Sequence, residues 1–155
     1  MLGRISAKAP ATAATAEAVI ATLWNPHATA RVVVTEVWLT NIAATACEFS
    51  IRRATARGTA GSTVTIAREH DSDDGIISPA GLLLDLSSYS VQPTLMGASS
   101  QSSSIVRGQL AGVIGASVMV VLPERVEIPP GNGLSICNAV AVLNGITLVT
   151  FAWFE

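Results

Sequence analysis

The chain is short of charge. Lys, Arg, Asp and Glu make up 13% of its 155 residues, where about 25% is usual for a soluble domain. Lys8 is the sole lysine and the net charge is −2. Nothing here resembles the basic patch that neutralises nucleic-acid phosphates, so no DNA or RNA partner is expected. Aromatic residues are scarce at 5%. Continuous apolar runs are short as well; the longest, at 118–122 and 139–143, have strand length. A bilayer span needs about 20 such residues, so no membrane role is expected. Two cysteines, Cys47 and Cys137, are too few for a disulfide framework. They read as buried thiols in strands, with one bridge between neighbouring strands as the alternative. At the start, Arg4 and Lys8 are not followed by the apolar segment of a secretory leader.

Catalytic patterns are missing too. "GLSIC" at 133–137 lacks the second glycine of a nucleophile elbow. A phosphate-binding loop needs a lysine that the body of the chain does not have. His27 and His70, without C-x-x-C or H-x-H, cannot build a typical zinc site. His27 follows Pro26 and reads as a surface or interface residue. His70 belongs to a solvated loop or pairs with a carboxylate.

The one candidate cation site is "EHDSDDG", where Glu69, Asp71, Asp73 and Asp74 offer hard oxygen ligands suited to Ca²⁺. It does not fit an EF-hand loop, because Ile76 falls where glycine is required, and a solvated turn is the simpler reading. Arg52, Arg53 and Arg57 in "RRATAR" make a small basic patch that faces water or a neighbour's acidic loop. The stretch "GASSQSSS" at 97–104 reads as a flexible polar loop. We therefore expect no cofactor and no enzymatic activity.

What the sequence does contain is short β-rich runs separated by turn clusters. Candidate strands cover 17–23, 31–40, 47–53, 63–68, 82–86, 104–111, 116–122, 125–128, 134–142 and 145–154. Turns at this spacing point to an all-β sandwich or barrel. A short helix competes only within the alanine-rich "ATAATAEAVIATL". Pro130-Gly131 suits the centre of a type II turn, and Asn132-Gly133 after it tolerate positive φ. Asn144-Gly145 between "AVAVL" and "ITLVTFAWF" predicts a closing type I′ hairpin, with the last strand inside a sheet. Residues 1–16, rich in Ala and Thr, read as an extended N-terminal arm, and 17–155 as one domain.

Strands 47–53 and 63–68 alternate cleanly, with Glu48, Ser50 and Arg52 on the wet side of the first. Three others are apolar on both faces. Strict alternation sets Val33, Val37 and Leu39 against Val32, Val34 and Trp38. It sets Val118, Val120 and Leu122 against Met119 and Val121, and Ile146, Leu148 and Phe154 against Val149, Phe151 and Trp153. A two-sheet sandwich buries one face of each sheet. A second apolar face needs another subunit or a folded-back arm, and leaving it wet would be costly, so an obligate oligomer is expected. Periodicity alone does not choose between the sets; we assign Val32, Val34, Trp38, Phe151 and Trp153 to the subunit interface.

Four elements together resemble small virion proteins of tailed bacteriophages. They are "LWNP" before a valine-rich strand, "FSIRRAT…GT" in the next strand and loop, "ERVEIPPGNGLSI", and a closing aromatic strand. The likeness runs over about 17–155 and lies in the style and order of elements. It implies a jelly-roll-like antiparallel β-sandwich, made in the host cytoplasm, that sits on the virion as a homotrimer. Its role would be capsid decoration (cement) or head-fibre base, its partner the major capsid protein, and no catalytic residues come with it. The arm resembles extensions that decoration proteins lay across neighbours, which makes Arg4, Lys8 and Pro10 the candidate capsid contacts. A receptor- or glycan-binding module of a fibre or adhesin is the competing reading, and a cupin-like or lyase enzyme the third.

Overall fold

A computed structural model describes residues 2–8, 16–65, 80–139 and 147–155. Its strands are β1 (Leu2–Lys8), β2 (Val19–Asn25), β3 (Val32–Asn41), β4 (Cys47–Ala56), β5 (Ser62–Thr65), β6 (Leu83–Leu86), β7 (Thr94–Leu95), β8 (Val106–Leu110), β9 (Ser117–Ile128), β10 (Asn132–Asn138) and β11 (Thr147–Phe154). One helical turn, α1, spans Ser100–Ser103. The strands form two antiparallel sheets stacked as a β-sandwich, as the turn spacing implies. The first sheet runs β1-β11-β3-β9; the second runs β5-β6-β2-β10-β4, with β7 and β8 both pairing on the far side of β4. From β1 to β4, and again from β8 to β11, each strand lies in the opposite sheet from the one before it.

The N-terminal stretch is not a free arm. Leu2 pairs with Phe154, and the ladder continues to Lys8 opposite Leu148, so β1 is an edge strand of the first sheet. Ile5 and Ala7 pack against the core while Arg4 and Ser6 face out. The small side chains hide this alternation from a hydropathy reading. The helix that competed for the alanine-rich segment gives way to β2 over 19–25. A second correction concerns the C-terminal hairpin. β10 lies between β2 and β4, whereas β11 lies between β1 and β3, so these strands sit in different sheets and do not pair. Asn144-Gly145 lies outside the described residues, and β11 is an interior strand as expected. The turn at 129–132 has the expected form: Asn132 N–H donates to the Pro129 carbonyl at 3.2 Å, and Gly131 has φ +67°. Asn132 and Gly133 then open β10, where a Cβ on Gly133 would sit 2.8 Å from the Trp24 ring.

Both long strands of the first sheet depart from strict alternation at one place. Val34 and Glu36 pair with the adjacent β11 residues Trp153 and Ala152, leaving Thr35 as an extra residue. On the other side, the same gap in β3 spans residues 122–125 of β9. This bulge flips the phase of β3. Val32 and Val34 before it, and Val37 and Leu39 after it, all point into the core. The apparent two-faced apolarity of β3 is largely this bulge. Of the proposed interface set, Val32, Val34, Phe151 and Trp153 are core residues, buried between the sheets of one chain. Trp38 alone faces outward.

The ends of β2 and β3 are closed by buried asparagines. Asn25 donates to the carbonyls of Ala30 (2.8 Å) and Ile128 (3.1 Å) and accepts from His27 N–H. His27 Nδ1 in turn accepts the Ala30 N–H at 2.7 Å. The "NPH" turn thus uses its histidine as a local acceptor. Asn41 does the same work at the other end, donating to Thr45 and Ala111 carbonyls.

Candidate functional site

The two sheets differ in what covers their outer faces. On the second sheet, cross-strand neighbours Thr63, Asp85, Thr22, Ser135 and Arg52 form one polar row from β5 to β4. A solvated strand was expected there. Instead Asp85, Thr22, Ser135, Ser50 and Arg52 are buried. The chain between β6 and β8 crosses over them. Tyr89 Oη donates to Thr22 Oγ1 (3.2 Å) and to the Asp85 carbonyl (3.0 Å), and Gln92 Oε1 accepts the Val19 N–H.

Arg52 is 2% exposed and is held through both terminal nitrogens, while its buried Nε has no hydrogen-bond partner. Its Nη1 donates to Glu17 Oε2 at 2.7 Å, and its Nη2 reaches the Gly97 carbonyl (2.9 Å) and Ser103 Oγ (3.1 Å). Glu17 sits at φ +67°, a conformation that costs a non-glycine residue about 1 kcal/mol. That backbone aims its carboxylate at Ser100, which donates from both N–H (2.9 Å) and Oγ (2.6 Å). The segment read as a flexible loop is therefore a helical turn clamped over an arginine.

Arg57 holds Asp85 through Nε (2.6 Å) and Nη2 (2.8 Å), and Thr63 Oγ1 adds a third bond to that carboxylate at 2.6 Å. The Asp85 hydrogen bonds hold the Arg57 guanidinium above its ordinary pKa. Arg53 donates to the Glu127 carbonyl at 2.5 Å. The "RRATAR" arginines thus have partners within their own chain.

Cys47 and Cys137 are both buried and form no disulfide, and burial pushes the Cys137 thiol up to about 12. Burial likewise pushes the Tyr89 phenol well above its usual range. Burial thus favours the neutral forms of Cys137 and Tyr89.

Among the described residues, nothing covers the outer face of the first sheet. Register sets the rows Leu2–Phe154–Val33–Glu127, Arg4–Ala152–Glu36–Val121, Ser6–Thr150–Trp38–Met119 and Lys8–Leu148–Thr40–Ser117. Trp38 (41%), Met119 (52%), Val121 (61%) and Phe154 (42%) are exposed there. The polar members pair among themselves. Ser6 and Thr150 hydroxyls lie 2.5 Å apart, and Thr40 and Ser117 hydroxyls 2.9 Å apart. Trp38 is fixed in place: its Nε1–H donates to Glu36 Oε2 at 3.1 Å, and the Arg4 guanidinium lies 5.2 Å from its ring centroid. Arg4 also pairs with Glu36 at 3.8 Å. A tryptophan locked by a cation–π contact and a hydrogen bond loses little entropy when a partner packs on it.

Of the proposed capsid contacts, Arg4 belongs to this face, Lys8 is its β1 terminus, and Pro10 lies outside the described residues. Glu69, Asp71, Asp73 and Asp74 also lie outside them. Among the described residues, no three His, Cys, Asp or Glu side chains gather into a metal-holding group. No helix is long and apolar enough to cross a membrane. Met119, Val121 and Phe154 were missing from the sequence-based interface. Their alternation was legible; Met119 and Val121 pair with Trp38 and Glu36 directly, while Phe154 lies across the bulge from Trp38. No family model, curated protein or solved structure matches the chain.

Proposed function

We propose that this chain is a non-enzymatic structural protein of a tailed-phage virion, a capsid decoration protein that acts as a homotrimer. The observation that carries the reading is the contrast between the two outer faces. One is roofed by the chain's own polar segment; the other presents Trp38, Met119, Val121 and Phe154 to solvent. A monomeric soluble protein rarely leaves such a face wet. The alternation of strands between sheets fits the jelly-roll arrangement that the resemblance implies. Copies associate through the bare face, and each bound copy bridges capsid subunits, so that many modest contacts raise the cost of separating them.

The test is to add the purified chain to capsids that lack it. Saturable occupancy with a higher disruption temperature is expected; particles that neither bind it nor gain heat resistance sink the reading. A second reading, a glycan-binding module, draws on one feature: Trp38 has paired hydroxyls beside it, Ser6–Thr150 in its own row and Thr40–Ser117 in the next, which suits a sugar ring stacked on indole. Sugar-dependent quenching of tryptophan fluorescence in Trp38-containing protein, lost in Trp38→Ala, would favour it.

A further inference from the structure

The layer beneath the roof of the second sheet holds two polar atoms that no protein group meets. Ser50 Oγ and Arg52 Nε are buried and have no hydrogen-bond partner. Their residues are 0% and 2% exposed. They stand two apart on β4, so both side chains rise from the same face of that strand. Cys137 lies opposite Ser50 on β10, and Ser135 opposite Arg52. The charges of Arg52 and Glu17 both act on the Cys137 thiol, which places it in the same covered layer. Leaving a buried donor unmet is costly, and folded proteins leave few of them.

The neighbouring polar groups are already committed. Glu17 Oε1 accepts from Ser100 Oγ, and Oε2 accepts from Arg52 Nη1. The Met96 and Gly97 carbonyls take Arg52 Nη2, and Ser103 Oγ accepts from the same nitrogen while donating to the Ser99 carbonyl at 2.6 Å. The Thr22 and Ser135 hydroxyls bond each other at 2.7 Å. Of the described neighbours, the Cys137 thiol remains as a partner for Ser50. Sulfur is a weak acceptor and S–H a weak donor, and a Ser50–Cys137 bond still leaves Arg52 Nε alone.

We propose that one water molecule binds beneath the roof, accepting the Arg52 Nε–H and donating to Ser50 Oγ. Charge, chemistry and reach select water. The guanidinium is already met by the Glu17 carboxylate at 2.7 Å, so an anion brings a charge with no counterpart, and a cation meets the guanidinium. Nε–H can only donate, so the ligand must accept there, and water still has hydrogens for Ser50. Residues two apart on a strand lie about 7 Å apart at Cα. A water with two hydrogen bonds spans up to about 6 Å between its partners. Beside the long Arg52 side chain, the small Ser50, Cys137 and Ser135 leave a step in the layer, and a water fills only about 30 Å³ of it.

The water completes the join between roof and sheet. Arg52 then engages every nitrogen: Nη1 on Glu17, Nη2 on the chain before and after Ser100, and Nε through water on its own strand. The guanidinium is thereby held in one orientation against the sheet while it clamps the cover. This site does not depend on the virion reading and stands or falls apart from it.

The experiment is a crystal structure of the full chain at a resolution that shows ordered water, paired with magnetic relaxation dispersion of the solvent, which counts long-lived internal waters. The comparison is Ser50→Val, which removes the hydroxyl and puts a methyl group towards the water; a β-branched residue suits the strand. Wild type is expected to show one oxygen peak about 2.7–3.2 Å from both Arg52 Nε and Ser50 Oγ. The variant should lack that peak and hold one long-lived water fewer. Ser50→Ala serves if valine does not fold, and there the peak should weaken or vanish. Three results overturn the proposal. In the first, no oxygen lies between the two atoms and Ser50 bonds Cys137. In the second, bromide soaked into the crystal replaces the peak, which marks an anion site. In the third, wild type and the Ser50 variant hold the same number of long-lived waters.

Discussion

Deleting Thr35 tests the bulge that separates the core of the first sheet from its outer face. Without it, β3 returns to strict alternation, and a one-residue slip sends every later side chain to the opposite face. Val37 and Leu39, both fully buried, then point to solvent, and Trp38 turns inward. Exposing two such side chains costs roughly 3–6 kcal/mol. Forcing an indole into a filled core adds about 1–3 kcal/mol. The sum rivals the entire 5–15 kcal/mol that holds a typical domain folded.

The control is Thr35→Ala, which keeps the residue count and loses only a long 3.3 Å bond from Thr35 Oγ1 to the Ala152 carbonyl. That change costs about 0.5–1 kcal/mol. Urea denaturation reads the difference. With a slope of about 2 kcal/mol per molar, the deletion moves the midpoint down by 2 M or more, or prevents folding, while the alanine variant shifts it by under about 0.5 M. Trp24 and Trp153 are buried, so Trp38 dominates quenching by acrylamide. A deletion variant with wild-type midpoint and wild-type quenching would mean that Thr35 does not set the phase, and the assignment of core and outer face would fall with it.

Other perturbations probe the covered sheet and the bare one. Arg52→Met strands the Glu17 carboxylate and the carbonyls that the guanidinium held; a loss of about 3 kcal/mol is expected, with faster amide exchange across 96–104. Alkaline pH should destabilise the fold. Cys137 rises from an ordinary 9.0 to about 12 on folding, and Tyr89 rises too. Above about pH 9 the unfolded chain therefore holds fewer protons than the folded one, and stability falls as pH climbs from there towards 12. Urea midpoints across pH 8–11 check this, as does slow reaction of both thiols with a disulfide reagent until the chain unfolds. Raising salt to about 1 M should leave the oligomer intact, since screening weakens charge contacts and not apolar ones; light scattering that reports dissociation with added salt would contradict an apolar interface.

Strand positions were legible because turn chemistry punctuates this sequence so densely. "NPH", "PPGNG" and the glycine clusters delimit runs too short for anything but strands, and β2, β3, β6 and β8 fall within two residues of the expected bounds at either end. Three features were not legible. Thr35 carries no mark of a bulge, since neither glycine nor proline accompanies it, so the alternation was continued through it and Val32 and Val34 went to the interface with Trp38; Phe151 and Trp153 went there because periodicity does not say which face of β11 is the core. The roof over the second sheet was hidden differently. Arg52 and Asp85 look like solvated groups in any local reading, because their partners Glu17 and Arg57 come from distant or apparently loose segments. The strand β1 was missed because Gly3, Ser6 and Ala7 are too small to register as an apolar period.

The scarcity of charge and the bare sheet have one physical origin. Glu17 takes Arg52, Asp85 takes Arg57, Glu48 takes Arg107, Glu127 takes Arg31 and Glu36 takes Arg4. With Arg53 on the Glu127 carbonyl, every arginine whose side chain is described has an intrachain partner. These pairs do two different jobs. The buried ones fasten the chain between β6 and β8 across the second sheet, which converts that face into interior and withdraws it from any partner. The exposed Arg4–Glu36 and Arg31–Glu127 pairs neutralise each other on the first sheet, which leaves Lys8 of β1 as the further charged residue in its rows. Recognition by long-range electrostatics is thereby closed to most of the described surface, and what remains is shape and apolar area. A chain built this way selects its partner by fit: it gains little from steering and depends on copies meeting at high local concentration, which a repeating assembly supplies.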